Sequence, residues 1–172
     1  QRKGRKMNYS DIKYYDIANG DGVRTSLFVS GCTNHCKGCF NQQTWDFDYG
    51  KPFTEETIKE IIESLRPSYI RGLSVLGGDP FHPRNQSSVL ELVKRVSNEL
   101  PNKDIWVWTG YRLEDELISG IANTEVTSEL LSYIDVLVEG RFVESLKDST
   151  LKWRGSSNQR ILYPKKLLNN LV

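Results

Sequence analysis

The sequence lacks any apolar run near the roughly 20 residues needed to cross a bilayer, and its first residues contain no apolar signal-peptide core. Both absences lead to the expectation of a cytoplasmic protein, in which thiols stay reduced. Neither sign of charge is in excess: 23 basic and 22 acidic side chains leave a net charge of +1. That balance gives no support for a general nucleic-acid surface or a polybasic membrane surface. No internal repeat or low-complexity segment is present, and an aromatic content of 10% argues against disorder. A length of 172 residues fits one domain with a sizeable core. The first six residues carry four positive charges and no apolar side chain. They read as an upstream extension more readily than as a basic nucleic-acid arm, with Met7 the natural start. Residues 1–7 are accordingly set apart from a domain over 8–172.

Cysteine is the most telling scarcity. The chain has three, all within the run Gly31-Cys32-Thr33-Asn34-His35-Cys36-Lys37-Gly38-Cys39-Phe40-Asn41. An odd number at such close spacing argues against disulfides. Three thiolates are also one short of a closed structural zinc site or a plain electron-transfer cubane. Three readings stay open on these residues alone: a cluster with one iron left free for another molecule, a zinc site recruiting His35, and incidental thiols. His35 directly precedes Cys36, which makes convergence of both on one ion awkward. Gly31 and Gly38 would let the loop turn tightly. Lys37 and His35 could favour thiolates, although solvated loop polarity explains them equally well.

Strand and helix signals alternate along the chain. Thr25–Ser30 reads as a strand that delivers the cysteine loop at its C-terminal end. Thr54 predicts a helix N-cap, with Glu55 and Glu56 in the first turn and Ile58, Ile61, Ile62 and Leu65 on one face up to Pro67. Gly72–Leu76 predicts a second strand, running into Gly77-Gly78-Asp79-Pro80. Val89, Leu92, Val93, Val96 and Leu100 predict a second helix, ended by Pro101. Ile105–Trp108 and Val136–Val138 predict further strands, with weaker helical stretches near 113–119 and 128–133 between them. Arg160–Tyr163 reads as a late edge strand. This pattern predicts an α/β fold of parallel β-α-β units. The chain is short for a closed eight-stranded barrel of about 250 residues, so an open partial (βα) barrel is expected. Ligands would then collect at the C-terminal ends of the strands, where the cysteine loop, the Gly-Gly-Asp-Pro turn and Thr109-Gly110-Tyr111 all lie.

The spacing C-x3-C-x2-C, followed one β-α unit later by Gly77-Gly78-Asp79-Pro80, resembles the two main signatures of the radical S-adenosylmethionine (SAM) superfamily. The chain is similar in particular to the branch that activates glycyl radical enzymes, and within it to the activators of anaerobic (class III) ribonucleoside-triphosphate reductases. The residues carrying that resemblance include Asp21-Gly22-Val23-Arg24-Thr25, residues 31–41, Thr44-Trp45, Trp106 through Tyr111, Asp135 through Phe142, and Arg154 through Arg160. Two departures from the superfamily pattern stand out. The aromatic that often precedes the third cysteine is replaced by Gly38, with Phe40 following instead, and the usual glutamate of the turn is Asp79.

The resemblance implies a radical SAM oxidoreductase of compact, partial-barrel type. Cys32, Cys36 and Cys39 would hold three irons of a [4Fe-4S] cluster, and SAM would bind the fourth. One electron from a donor such as flavodoxin or ferredoxin would cleave SAM to methionine and a 5′-deoxyadenosyl radical, which would abstract hydrogen from a glycine of the partner reductase. Gly38, Cys39, Phe40, Gly77, Gly78, Asp79 and Thr109 are the expected cofactor-binding residues, with Phe40 the candidate for the adenine. Neither nucleic acid nor membrane is expected as a partner. Other readings are an activator of a different glycyl radical enzyme, of the pyruvate formate-lyase type, and a non-catalytic metal-binding interaction module. Trp106 and Trp108 share one face of their strand, with packing as the default. Arg24 is expected to be a surface or ion-pair residue unless it positions a substrate, and His82 is expected to be structural. Arg154–Arg160 suggests no chemistry from the residues themselves.

Overall fold

The computed structural model describes residues 7–169. Residues 1–6 of the expected extension lie outside the described residues, whereas Met7 is buried, its carbonyl accepting from the Phe53 N–H. Among the described residues, seven strands form one sheet: β1 (Asn8–Asp16), β2 (Arg24–Val29), β3 (Lys51–Pro52), β4 (Gly72–Gly77), β5 (Asp104–Thr109), β6 (Val136–Glu139) and β7 (Arg160–Leu162). Their spatial order is β3-β1-β2-β4-β5-β6-β7. The expected parallel arrangement holds for the central strands β2, β4, β5 and β6. Both edges are antiparallel, which the sequence did not suggest. The physical reason lies in the connections. Parallel neighbours need a crossover of a dozen or more residues, whereas β1 reaches β2 through the short segment 17–23 and can only turn back on it. β1 is irregular, with register shifts between Tyr9 and Asp11 and between Lys13 and Asp16.

The helices are α1 (Glu55–Leu65), α2 (Gln86–Glu99), α3 (Thr127–Ser132) and α4 (Pro164–Asn169), with a π-helix over Leu113–Ile118 and a 3₁₀ turn over Gln42–Trp45. The Thr54 hydroxyl accepts from the Thr57 N–H and the Thr57 hydroxyl accepts from the Thr54 N–H, closing a reciprocal cap. Ile58, Ile61, Ile62 and Leu65 are all buried. That apolar face holds the helix more firmly than intrinsic propensity could at this length. It packs in one core with Leu27, Val29, Leu73, Val75, Ile105, Val107 and Leu137 from one face of the sheet.

The other face carries different chemistry. Ser26, Ser74, Trp106 and Val136 form one row across the parallel strands. Beneath Trp106 lies Arg24, whose side chain is completely buried. Its Nε donates to Ser74 Oγ at 2.7 Å, and its terminal nitrogens donate to the carbonyls of Asp21 and Leu73. A 2.6 Å ion-pair contact to Asp104 Oδ1 lacks hydrogen-bond alignment. The Asp21–Thr25 motif is thus a tie between the chain entering β2 and the strands beside it. Arg24→Ala is expected to destabilise the fold by about 3 kcal/mol, read by urea unfolding. The value falls at the lower end of the range for a broken buried pair because Arg71 also faces Asp104, at 3.4 Å. Arg24→Met, which keeps the volume and removes the charge, is expected to cost less.

Candidate active site

The C-terminal ends of the parallel strands open into a cavity of about 600 Å³. Cys32, Cys36, Cys39, Phe40, Gly77, Gly78, Asp79 and Thr109 all line it, so eight of the nine expected site residues are brought together. Gly38 is the exception: it is not part of the lining and faces Glu144 and Phe142, the latter itself a lining residue. Phe28, Leu76, Trp108 and Val138 supply an apolar wall from the sheet.

The cysteine loop is anchored at its start by the segment that follows it. Gly31 and Cys32 donate their N–H groups to the carbonyls of Thr44 and Trp45 in the 3₁₀ turn. All three cysteines are free and half-buried. His35, the alternative fourth ligand, stacks its ring on Trp45 at 4.3 Å. Among the described residues, no three or more His, Cys, Asp or Glu side chains are gathered as donors to a single ion.

The Gly77-Gly78-Asp79 turn packs directly on this loop. Gly78 and Asp79 donate their N–H groups to the carbonyls of Val29 and Gly31. A Cβ on Gly78 would stand 2.7 Å from the Gly31 oxygen and 2.8 Å from that of Thr44. Close approach of the chain to itself therefore requires this glycine, apart from any approach by a ligand. Asp79 is buried, and all four acceptor positions of its carboxylate are filled. Oδ1 accepts from the Phe81 N–H and the Thr109 hydroxyl at 2.9 and 2.7 Å. Oδ2 accepts from the Gly110 N–H and Asn34 Nδ2 at 2.9 and 3.0 Å. Burial pushes its pKa up to about 6, against the pull of Thr109, Gly110, Phe81 and the Arg141 charge. Thr109, expected at a ligand, thus spends its hydroxyl on Asp79. Phe40 is 72% exposed at the cavity rim, with Phe142 beside it at 5.9 Å.

Several contributors gave no sequence signal of a role. Arg141 lies beside Asn34 and forms a two-pronged pair with Glu116. The segment 154–160 acts as scaffolding for this wall. Gln159 Oε1 accepts from the N–H groups of Gly155 and Ser156, and its Nε2 donates to the Gly140 carbonyl. Asn158 Nδ2 donates to the carbonyl of Arg141, and Ser156 Oγ accepts from the Val143 N–H. Only the resemblance flagged this stretch, because its bonds reach back to residues 140–143.

The donors fit a cluster held at three corners. Burial, then the Asp79 charge, pushes the Cys32 thiol up to about 11, and burial raises Cys36 as well. Both shifts oppose the thiolate, so a positively charged partner such as iron would have to supply the compensating charge. The N–H groups of Asn34 and His35 face the sulfur of Cys32, and that of Phe142 faces Cys36. Such hydrogen bonds stabilise thiolate charge and tune cluster potentials.

The chain matches the family described as a 4Fe-4S single cluster domain over residues 18–162. It is 49% identical over 157 residues to the anaerobic ribonucleoside-triphosphate reductase-activating protein of Vibrio cholerae, covering 90% of this chain and 97% of that protein. Identity to the protein of the same name from Escherichia coli strain K12 is 48% over 155 residues, covering 89% and 96%. The corresponding protein of Enterobacteria phage T4 is 44% identical over 155 residues, covering 90% and 93%. With three free thiols around one cavity and similarity of this extent, the chain belongs to the family of anaerobic ribonucleoside-triphosphate reductase-activating proteins and carries a 4Fe-4S single cluster domain.

Proposed function

We propose that this chain activates an anaerobic ribonucleoside-triphosphate reductase by generating a glycyl radical on it, as a SAM-dependent oxidoreductase of the radical SAM type. One observation carries the reading: three free thiols border the same cavity as the Gly77-Gly78-Asp79 turn, at the C-terminal ends of parallel strands. Cys32, Cys36 and Cys39 would each hold one iron of a [4Fe-4S] cluster, leaving the fourth iron to the amino and carboxylate groups of SAM. When bound and reduced by a low-potential donor such as flavodoxin or ferredoxin, the cluster supplies the electron that splits SAM into methionine and a 5′-deoxyadenosyl radical, which takes a hydrogen atom from the reductase glycine.

The chain's own residues bind, orient and exclude water. The backbone of Gly77 and Gly78 borders the cavity and offers groups to the SAM ammonium. Asp79 contributes negative charge behind that backbone, its oxygens already committed to protein donors. Thr109 acts through Asp79, and Gly38 through the turn it allows in the loop. Phe40 presents an exposed ring to the adenine. Phe28, Leu76, Trp108 and Val138 keep water from the path along which hydrogen is taken. In this reading the sheet is the open partial (βα) barrel of the radical SAM type.

The test is anaerobic incubation of the iron-loaded chain with SAM, a reductant and the reductase, followed by electron paramagnetic resonance. A glycyl radical is expected on the reductase only when all components are present. A radical formed instead on an enzyme of the pyruvate formate-lyase type would reassign the partner. A colourless protein that holds one zinc after anaerobic reconstitution would overturn the catalytic reading.

A further inference from the structure

The side chain of Asn34 joins the cysteine loop to the glycine turn and to Arg141. It sits on the cysteine loop between Cys32 and Cys36. Its Nδ2 donates to Asp79 Oδ2 at 3.0 Å, and its Oδ1 accepts from Arg141 Nε at 3.2 Å. One end meets an anion and the other a cation. An amide, with a donor at one end and an acceptor at the other, satisfies both. A carboxylate would oppose Asp79, and a cation would oppose Arg141.

Both anchors are themselves fixed. Asp79 is held by Phe81, Thr109 and Gly110. Arg141 donates to both oxygens of Glu116 at 2.6 Å, and Glu116 belongs to the π-helix Leu113–Ile118. Helices of this type are rare and recur at functional sites. The guanidinium also lies 5.8 Å over the Tyr111 ring. Space for the amide comes from Gly110. A Cβ at that position would stand 2.4 Å from Asn34 Nδ2 and 3.4 Å from Asp79 Oδ2. Gly110 does not have a positive φ, so the amide above it, more than its own backbone conformation, excludes a side chain.

We infer that Asn34 is a positioning residue whose amide aligns the cysteine loop with the Gly77-Gly78-Asp79 turn, and so sets the open corner of the cluster against bound SAM. This rests on the function proposed above. The start of the loop is anchored through backbone bonds from Gly31 and Cys32 to Thr44 and Trp45, so losing the amide shifts the middle of the loop without releasing that anchor. A site of this kind tolerates displacements of only about 0.5 Å.

The experiment uses the full chain as wild type, Asn34→Ala, Asn34→Asp, Gly110→Ala and the Asn34→Ala/Gly110→Ala double variant. Iron and sulfide content should stay at the wild-type level in Asn34→Ala, while the KM for SAM rises about tenfold, the scale of one hydrogen bond to a charged group. kcat should fall less. The change that SAM causes in the resonance spectrum of the reduced cluster should weaken in parallel. Asn34→Asp should be worse than Asn34→Ala, because it adds repulsion. Gly110→Ala should reproduce Asn34→Ala, and the double variant should be no worse than either, the signature of a shared element. In iron-free protein, alkylation of Cys36 and Cys39 should quicken several-fold in both single variants. Wild-type KM and spectra in Asn34→Ala would overturn the assignment, as would fully additive effects in the double variant. Loss of iron from Asn34→Ala would also overturn it, since the residue would then build the site and not align it. If the wild type binds no iron and leaves SAM intact, the proposed function fails, while alkylation rates still report whether the amide holds the loop.

Discussion

Replacing Cys36 with alanine is expected to abolish SAM cleavage while leaving the fold intact. Cys36 is one of three thiols lining the cavity, and no fourth cysteine exists in the chain to take its place. Two thiolates leave half of a four-iron cluster without protein ligands. The loss should therefore exceed the roughly 10–100-fold that follows from removing an outer-shell partner of a metal site. Cys36 is half-buried in a loop and is absent from the apolar core. Iron-free Cys36→Ala should accordingly unfold in urea at the same midpoint as iron-free wild type. The measurements are iron content, 5′-deoxyadenosine formed under reducing conditions, and the unfolding midpoint. Retained cleavage would reject Cys36 as a ligand. A large drop in midpoint would show that the thiol supports the fold directly.

Asp79→Asn is expected to lose both stability and SAM cleavage, a combination that separates it from the cysteine variant. The carboxylate accepts four hydrogen bonds and donates none. An amide of the same size turns one oxygen into a donor. Whichever way it faces, that donor meets two others: Phe81 N–H and the Thr109 hydroxyl, or Gly110 N–H and Asn34 Nδ2. Each buried donor left without an acceptor costs about 1–3 kcal/mol. The expected loss is about 3 kcal/mol or more, a sizeable part of the roughly 5–15 kcal/mol typical of a domain. Urea unfolding of the iron-free protein measures it. SAM cleavage should fall as well, because the same carboxylate joins the cysteine loop, the glycine turn and the end of β5. An unchanged midpoint would mean that the four donors find other acceptors, and that Asp79 does not organise the site.

What could be read from the sequence was local. Thr54 and the Ile58–Leu65 stripe announce α1 because a cap and a helical face are written within a dozen consecutive residues. The strand ending at Val29 and the loop beginning at Gly31 could be placed for the same reason. β1 carries no strand signature in the sequence, because its segment mixes Asn8, Ser10, Asp11, Lys13 and Asp16 among tyrosines. Half of an outer strand faces water, and its polar residues blur the two-residue period. The residue type of Arg24 points to an ion pair or the surface; nothing local shows that Ser74, Leu73 and Asp104 enclose it from about fifty to eighty positions away. The site divides in the same way. The cysteines, the glycine turn and Phe40 stand in short motifs. The amide of Asn34 meets its partners 45 and 107 residues along the chain, and such a meeting has no periodicity to read.

The irregular first strand has a consequence for how the molecule meets its neighbours. Among the described residues, β3 covers only Asn8 and Tyr9 of β1, so most of the outer side of β1 forms the rim of the sheet. That rim is broken by two register shifts and carries Asp11 and Lys13, both exposed. An edge interrupted and charged in this way makes a poor template for a foreign strand. A protein with an apolar-walled cavity open at one end of its sheet runs a risk of indiscriminate adhesion. Here the backbone ladder discourages extension on that side, which favours engagement through side chains and loops, which can tell one visitor from another.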